Sequence, residues 1–335
     1  MQRFLLLVFI VFHLMSCEAQ KEKINGISFV GGPNVVTEKQ IQPVLNVNAN
    51  WVCLMPFGFM RSIDGTSVVH NTERQWWGEK RLGVGKTANL YKKEGVKIMI
   101  KPQIWVRNGE FTGTITMKSE EDWLKFEKSY EAFIMEYADL AAELEAEVLC
   151  IGTELNKFVS ARPKFWSSLI DKIRSVYKGE LTYAENWDTF ADVPFWNELD
   201  YIGVDAYFPL CEKQTPTMET LKAGWKTHKP KIKALHEKVD KPVLFTEYGY
   251  RSVDYSGKRP WDYSREMQDV NLVAQENALK AIYDEFWSED WFAGGFLWKW
   301  FDKHEKVGGV ENAQFTPQNK PAEELIRKFY KNGAY

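Results

Sequence analysis

The sequence is poor in the side chains that hold metals and cross-link chains. Its 335 residues include 5 His and 4 Cys. No Cys-x-x-Cys pair occurs and the histidines show no metal-ligand spacing, so no metal is expected. No strand-like run is followed by a G-x-G-x-x-G fingerprint, which counts against a nucleotide fold and leaves no cofactor to expect. A net charge of −3 provides no basic footprint for nucleic acid. Repeats, low-complexity tracts and Pro/Ser-rich linkers are missing too, so nothing divides the chain.

Only one apolar run stands out, and it is at the start. Phe4–Met15 follows Met1-Gln2-Arg3 and is too short to span a bilayer as a stable helix. It closes on Leu14-Met15-Ser16-Cys17, which resembles a bacterial lipobox, where the cysteine is lipidated and becomes the mature N-terminus. The expected organisation is a signal peptide with lipobox over 1–17, a tether over 18–25 and a folded unit over 26–335. An ordinary secretory signal with an incidental Cys17 is the alternative. Either way the mature protein works outside the cytoplasm, and the lipobox would add a membrane anchor. Cys53, Cys150 and Cys211 remain, an odd number, so at least one stays free. Cys53 and Cys150 fall within apolar runs and read as small buried hydrophobes.

Aromatic residues are what the chain has in quantity: 14 Trp, 14 Tyr and 21 Phe. Many must be core, yet several Trp fall at the ends of strand-like runs, as in a binding cleft. Those runs are Gly26–Gly32, Ala49–Met55, Lys97–Ile100 extending toward Trp105, Val148–Ile151, Leu181–Ala184, Tyr201–Val204, Pro242–Phe245 and Ala293–Leu297. Helical spacing is expected over Thr37–Val47, Lys86–Glu94, Glu120–Glu145, Lys164–Val176, Met218–Lys238, Glu266–Trp287 and Pro321–Tyr330, with a short turn near Phe195–Leu199. Eight alternations over this length predict an α/β fold, a single (β/α)8 TIM barrel rather than an open sheet.

Two of the apolar runs end in a carboxylate. Val148–Ile151 leads through Gly152 and Thr153 to Glu154, and Val243–Phe245 leads through Thr246 to Glu247. On strands four and seven these side chains would meet across the barrel mouth, where such folds keep their chemistry. Two facing carboxylates, one protonated and one ionised, are what retaining glycoside hydrolysis requires. Either glutamate alone would read as half of a structural ion pair. Tyr207, just past strand six, is placed to donate to Glu247, or else packs under the rim. Lys101 and Gln103 alternate on strand three and would face the lumen, toward a carboxylate or a sugar hydroxyl. A barrel-interior salt bridge is the plainer use of Lys101. Asn186 and Asp205 could reach hydroxyls from strands five and six, and Trp105 and Trp187 could line the rim.

GTEL at strand four, TEYGY at strand seven and the Trp76-Trp77-Gly78-Glu79 stretch ahead of KIMIKP resemble glycoside hydrolase family 113, the β-mannanases of clan A. The resemblance runs from Gly26 to about Tyr330. It implies Glu154 as general acid/base, Glu247 as nucleophile and Trp298 as a sugar platform, with β-1,4-mannan or manno-oligosaccharides as substrate and no cofactor. Many clan members have Asn directly before the acid/base; Thr153 stands there in this chain. The same residues also fit a β-glycosidase for glucan or galactan, or a surface glycan-binding lipoprotein without turnover.

Overall fold

The computed structural model describes residues 22–263 and 269–334. The signal segment, Cys17 and residues 18–21 of the expected tether lie outside the described residues. Eight parallel strands close into a barrel: β1 (Ile24–Phe29), β2 (Trp51–Leu54), β4 (Lys97–Ile100), β6 (Val148–Thr153), β7 (Glu180–Asn186), β8 (Ile202–Asp205), β9 (Val243–Tyr248) and β10 (Phe292–Trp300), which pairs back to β1. The first strand begins at Ile24, inside the stretch expected to be tether.

Strand side chains alternate between two cores. Trp51, Cys53, Met99, Val148, Cys150, Leu244 and Phe296 fill the lumen. Val52, Ile98, Leu149, Ile151 and Phe245 point outward to the helices. This is the period of two that a strand buried on both faces must satisfy. Cys53 and Cys150 are buried free thiols, and Cys211 is also free.

The outer layer consists of α1 (Glu38–Asn46), α2 (Arg81–Lys93), α3 (Glu120–Leu144), α4 (Asn156–Ala161), α5 (Pro163–Val176), α6 (Met218–Val239), α7 (Leu272–Phe286) and α8 (Pro321–Asn332). Ser119 caps α3 by accepting from the Asp122 N–H, and Glu145 closes it in the left-handed conformation. Between β7 and β8 two short 3₁₀ turns, Phe190–Asp192 and Trp196–Glu198, take the place of a helix. The Trp196 indole N–H donates to the Phe190 carbonyl at 2.8 Å and holds them together.

Three boundaries differ from expectation. The second helix starts at Arg81, not Lys86, because Gly83 and Gly85 do not break it. A Cβ on Gly83 would lie 1.8 Å from the Trp77 carbonyl oxygen, so that close approach requires glycine. The helix expected from Glu266 begins at Leu272, where Asn271 accepts the Ala274 N–H at 3.0 Å; Val270 is engaged in a bridge with Val253 instead. Glu266 itself lies outside the described residues. The run expected as one strand from Lys97 to Trp105 is two. Past Pro102 it resumes as β5 (Gln103–Val106), which leaves the barrel and pairs in parallel with β3 (Phe57–Met60). This short pair stands above the barrel mouth.

The ring closes through a tyrosine cluster. The Tyr248 hydroxyl lies 3.2 Å from that of Tyr283 and 2.7 Å from that of Tyr330, and Tyr330 donates to the Gly26 carbonyl at 3.0 Å. One buried network thus joins β9, α7, α8 and β1.

Candidate active site

The β9 strand has an irregularity at its end. Val204 pairs with Phe245, but Asp205 pairs with Glu247, so one extra residue is accommodated on β9. Thr246 and Glu247 both turn toward the lumen side as a result, while Tyr248 returns to the outer core. Glu247 is 6% exposed. Its Oε1 accepts from Lys101 Nζ at 2.6 Å and from Gln103 Nε2 at 3.0 Å, and its Oε2 accepts from the Tyr207 hydroxyl at 2.8 Å. Three donors from two segments of chain, Lys101–Gln103 and the stretch after β8, fix both oxygens of one carboxylate.

Lys101 also donates to Asp205, at 3.0 Å to Oδ1 and 3.3 Å to Oδ2, and Thr246 donates to the same Oδ1 at 2.8 Å. Neither Lys101 nor Asp205 has exposed surface. They lie beneath Glu247 and hold it, rather than standing where a sugar could touch them. Burial by itself would lower the Lys101 pKa, but Asp205 and Glu247 outweigh it and raise it, so the cation persists. Asp205 is pushed up to about 7, first by burial and then by Glu247, with Lys101 opposing. Tyr207 is buried, and burial followed by the Glu247 charge pushes its phenol well above the ordinary value, which keeps it a donor.

Glu154 follows β6 directly, with β7 and β8 standing between that strand and the β9 strand of Glu247. The two strands are therefore three places apart, not opposed. Its φ of 51° is left-handed, uncommon for a residue with a side chain. The Glu154 N–H donates to the Ala184 carbonyl at 2.8 Å, and Thr112 Oγ1 donates to its carbonyl at 3.2 Å. The carboxyl is partly buried. Burial first, then the charges of Asp205 and Glu247, push its pKa well above the usual carboxylate range; Lys101 pulls the other way and Glu185 adds to the rise. Two carboxyl groups in one electrostatic neighbourhood have thus been given different surroundings. Glu247 has a cation at hydrogen-bond distance, and among the described residues Glu154 has none.

The remaining candidates divide. Trp298 is partly buried at the end of β10, packed against the lumen core, with Lys299 Nζ 4.9 Å from its ring centroid. Trp105 is 52% exposed on β5. Trp187 stacks on Trp261 with centroids 5.1 Å apart and an interplanar angle of 21°. Asn186 is turned to its own loop, its Oδ1 accepting the Trp187 N–H at 3.0 Å. The Thr153 hydroxyl is buried and has no protein partner among the described residues.

Sequence reasoning missed two charged residues here. Lys299 follows Trp298, and burial lowers its pKa against the opposing pull of Glu247. Glu185 is buried within β7, one residue past the expected end of that strand. A strand carried one residue further would have found it.

No curated protein matches the chain in sequence. The profile of Glycoside Hydrolase Family 113 matches residues 34–320. Among solved structures, the chain is similar to the GH113 β-mannanase AaManA from Alicyclobacillus acidocaldarius in complex with ManMIm. The identity is 26% and the TM-score 0.80, over 92% of this chain and 97% of that one. A GH113 β-1,4-mannanase solved as a complex is 23% identical with a TM-score of 0.81, over 93% and 99% of the two chains. A β-glucuronidase from Ruminococcus gnavus is 14% identical with a TM-score of 0.63, over 92% of this chain and 50% of that one. The last two likenesses concern the fold.

Proposed function

The chain belongs to glycoside hydrolase family 113, and from that premise we propose that it cleaves β-1,4-mannan or manno-oligosaccharides with retention of configuration. What carries the reading is the asymmetry of the two glutamates. Glu247 is gripped by Lys101, Gln103 and Tyr207, while Glu154 has no cation at hydrogen-bond distance among the described residues and holds its proton more tightly than usual.

In the first step the Glu247 carboxylate attacks the anomeric carbon as Glu154 gives its proton to the departing glycosidic oxygen. The bond to the leaving sugar breaks and an ester to Glu247 forms. Glu154, now ionised, takes a proton from water, whose oxygen displaces Glu247 from the same carbon and restores both groups. The choice of mannose rests on the family and on AaManA, the 26% identical relative. Trp298 would stack on the apolar face of the bound pyranose. We propose also that Cys17 carries a lipid and tethers the mature enzyme outside the cytoplasm, on the strength of the Leu14–Cys17 motif and the apolar run before it.

The test is a pair of variants. Glu247→Gln should abolish hydrolysis of mannan while keeping glycan binding, because the amide has the shape but not the nucleophilicity. Glu154→Ala should still release dinitrophenol from an activated β-mannoside, then stall. Azide should restart it and yield the β-mannosyl azide. Wild-type rates in both variants would overturn the assignment. Binding of mannan by a wild-type protein that hydrolyses no β-glycan would make it a binding protein.

A further inference from the structure

We propose that Tyr183 and Glu185, both on β7, are positioning residues that hold Glu154 where it can donate its proton, acting through the backbone N–H of Leu155. The proposal rests on the reading of Glu154 as the acid/base.

Tyr183 is fully buried among Trp166, Phe195 and Trp196. Only its hydroxyl is polar, and it reaches across to the neighbouring strand. It accepts the Leu155 N–H at 2.7 Å and donates to Glu185 Oε2 at 3.2 Å. A hydroxyl has one proton. With that proton committed to Glu185, its lone pairs are left facing Leu155.

Glu185 Oε1 accepts from the Asn186 N–H at 2.9 Å and from Thr189 Oγ1 at 3.0 Å. Its side chain therefore takes three donors, all neutral. The charged groups acting on it are Asp188 in the following turn and Glu154 across the strand, both acidic. A buried carboxylate without a cation is costly to keep. Capping the β7–β8 loop would account for the two Oε1 bonds, but not for the one to Tyr183.

The link ends beside a residue in the left-handed region. Glu154 has its left-handed φ of 51°, with its own N–H on Ala184 and its carbonyl on Thr112. The Tyr183 bond pins the next peptide. Space is also tight at this point: a Cβ on Gly152 would sit 2.9 Å from Tyr183 Cε2 and 2.7 Å from the Tyr130 hydroxyl. The groups that face the Glu154 carboxyl are Lys101 after β4, Asp205 on β8, Glu247 on β9 and Glu185 on β7. Glu185 thus acts twice, by fixing the tyrosine and by adding negative charge that favours the protonated acid.

The experiment compares Tyr183→Phe, Glu185→Gln and Glu154→Gln on two substrates, mannohexaose and 2,4-dinitrophenyl β-mannobioside. The first needs protonation of its leaving group; the second does not. Tyr183→Phe should lose kcat/KM on mannohexaose by about tenfold or more while the dinitrophenyl substrate loses far less. Glu185→Gln should move the basic limb of the mannohexaose pH profile to lower pH, since removing a negative charge makes Glu154 ionise more readily. An unmoved limb together with equal losses on both substrates would overturn the proposal, as would wild-type behaviour of both β7 variants. If Tyr183→Phe does not fold, the near-isosteric Glu185→Gln decides alone by its limb. Glu154→Gln separates the two failures. Inactivity there beside wild-type β7 variants removes only the support; wild-type hydrolysis of mannohexaose by Glu154→Gln removes the acid/base assignment and the support with it.

Discussion

Replacing Lys101 with methionine keeps most of the stem and removes the charge between two buried carboxylates. Lys101 Nζ lies 2.6 Å from Glu247 and 3.0 Å from Asp205, with no exposed surface on the lysine or the aspartate. Deleting one partner of such a group costs about 3–5 kcal/mol, because the charges left behind cannot return to water. An unfolding entropy of about 2.1 cal/mol/K per residue over roughly 310 residues makes that a fall in Tm of about 5–8 °C. The fall should depend on pH. Asp205 is at about 7 with the lysine present, raised from 3.8 by burial and then by Glu247, with Lys101 opposing. A carboxyl whose folded pKa is raised gives stability that is complete below its unfolded value and lost as pH climbs through the folded one. Without the opposing cation, Asp205 rises further and that loss deepens. The deficit of Lys101→Met relative to wild type should therefore be larger at about pH 8 than at about pH 5. Adding Asp205→Asn should recover part of it at the higher pH. Differential scanning calorimetry of wild type, Lys101→Met and the double variant at both pH values measures this. A deficit that is the same at both, or a Tm loss under about 1 °C, would refute the picture of one cation neutralising two carboxylates.

A crystal structure should place the carboxyl oxygens of Glu154 and Glu247 roughly 5 Å apart; a separation beyond roughly 8 Å would favour inversion instead. Tyr207→Phe removes one charge-assisted bond to Glu247, worth about 1.5–3 kcal/mol, and should lower kcat/KM by about ten- to a hundredfold. Wild-type kinetics in that variant would mean the 2.8 Å bond has no part in turnover. Cys17→Ser should move the protein from the membrane to the soluble fraction and strip the lipid from its mass; retention in the membrane would end the lipoprotein proposal.

The barrel was legible because its strands obey a plain rule. Apolar runs such as Val148–Ile151 and Val243–Phe245 are buried on both faces, and no other element of this length looks alike. Glu154 and Glu247 could be found because each stands within three residues of the end of such a run. What could not be read was any feature set by close packing. Nothing in Gly83 tells a helix breaker from a glycine pressed against a carbonyl. KIMIKPQIWV has one continuous strand pattern, yet the chain changes sheet at Pro102, since β5 finds its partner in the distant Phe57–Met60. Lys101 and Gln103 were placed on one face by alternation; their meeting on the same oxygen of Glu247 depends on that change of sheet. Glu185 went unnoticed because an acidic residue normally ends an apolar strand, whereas here it continues one under cover of Tyr183 and Thr189.

The tyrosine cluster that closes the ring also has a bearing on how the molecule is made. Tyr330 and the Gly26 carbonyl it bonds are 304 residues apart, and β1 is paired with β10. During synthesis β1 waits, one edge unsatisfied, until nearly the whole barrel has followed it. Until then the nascent sheet is open, with two free edges of the kind that pair with other chains. The Lys101, Asp205 and Glu247 cluster shares this delay. Lys101 is made 104 residues before Asp205 and 146 before Glu247, so its ammonium group has no buried partner while the first half is assembling. Ring closure and neutralisation of the site then fall late in the same folding sequence, and a chain arrested after β8 would have neither.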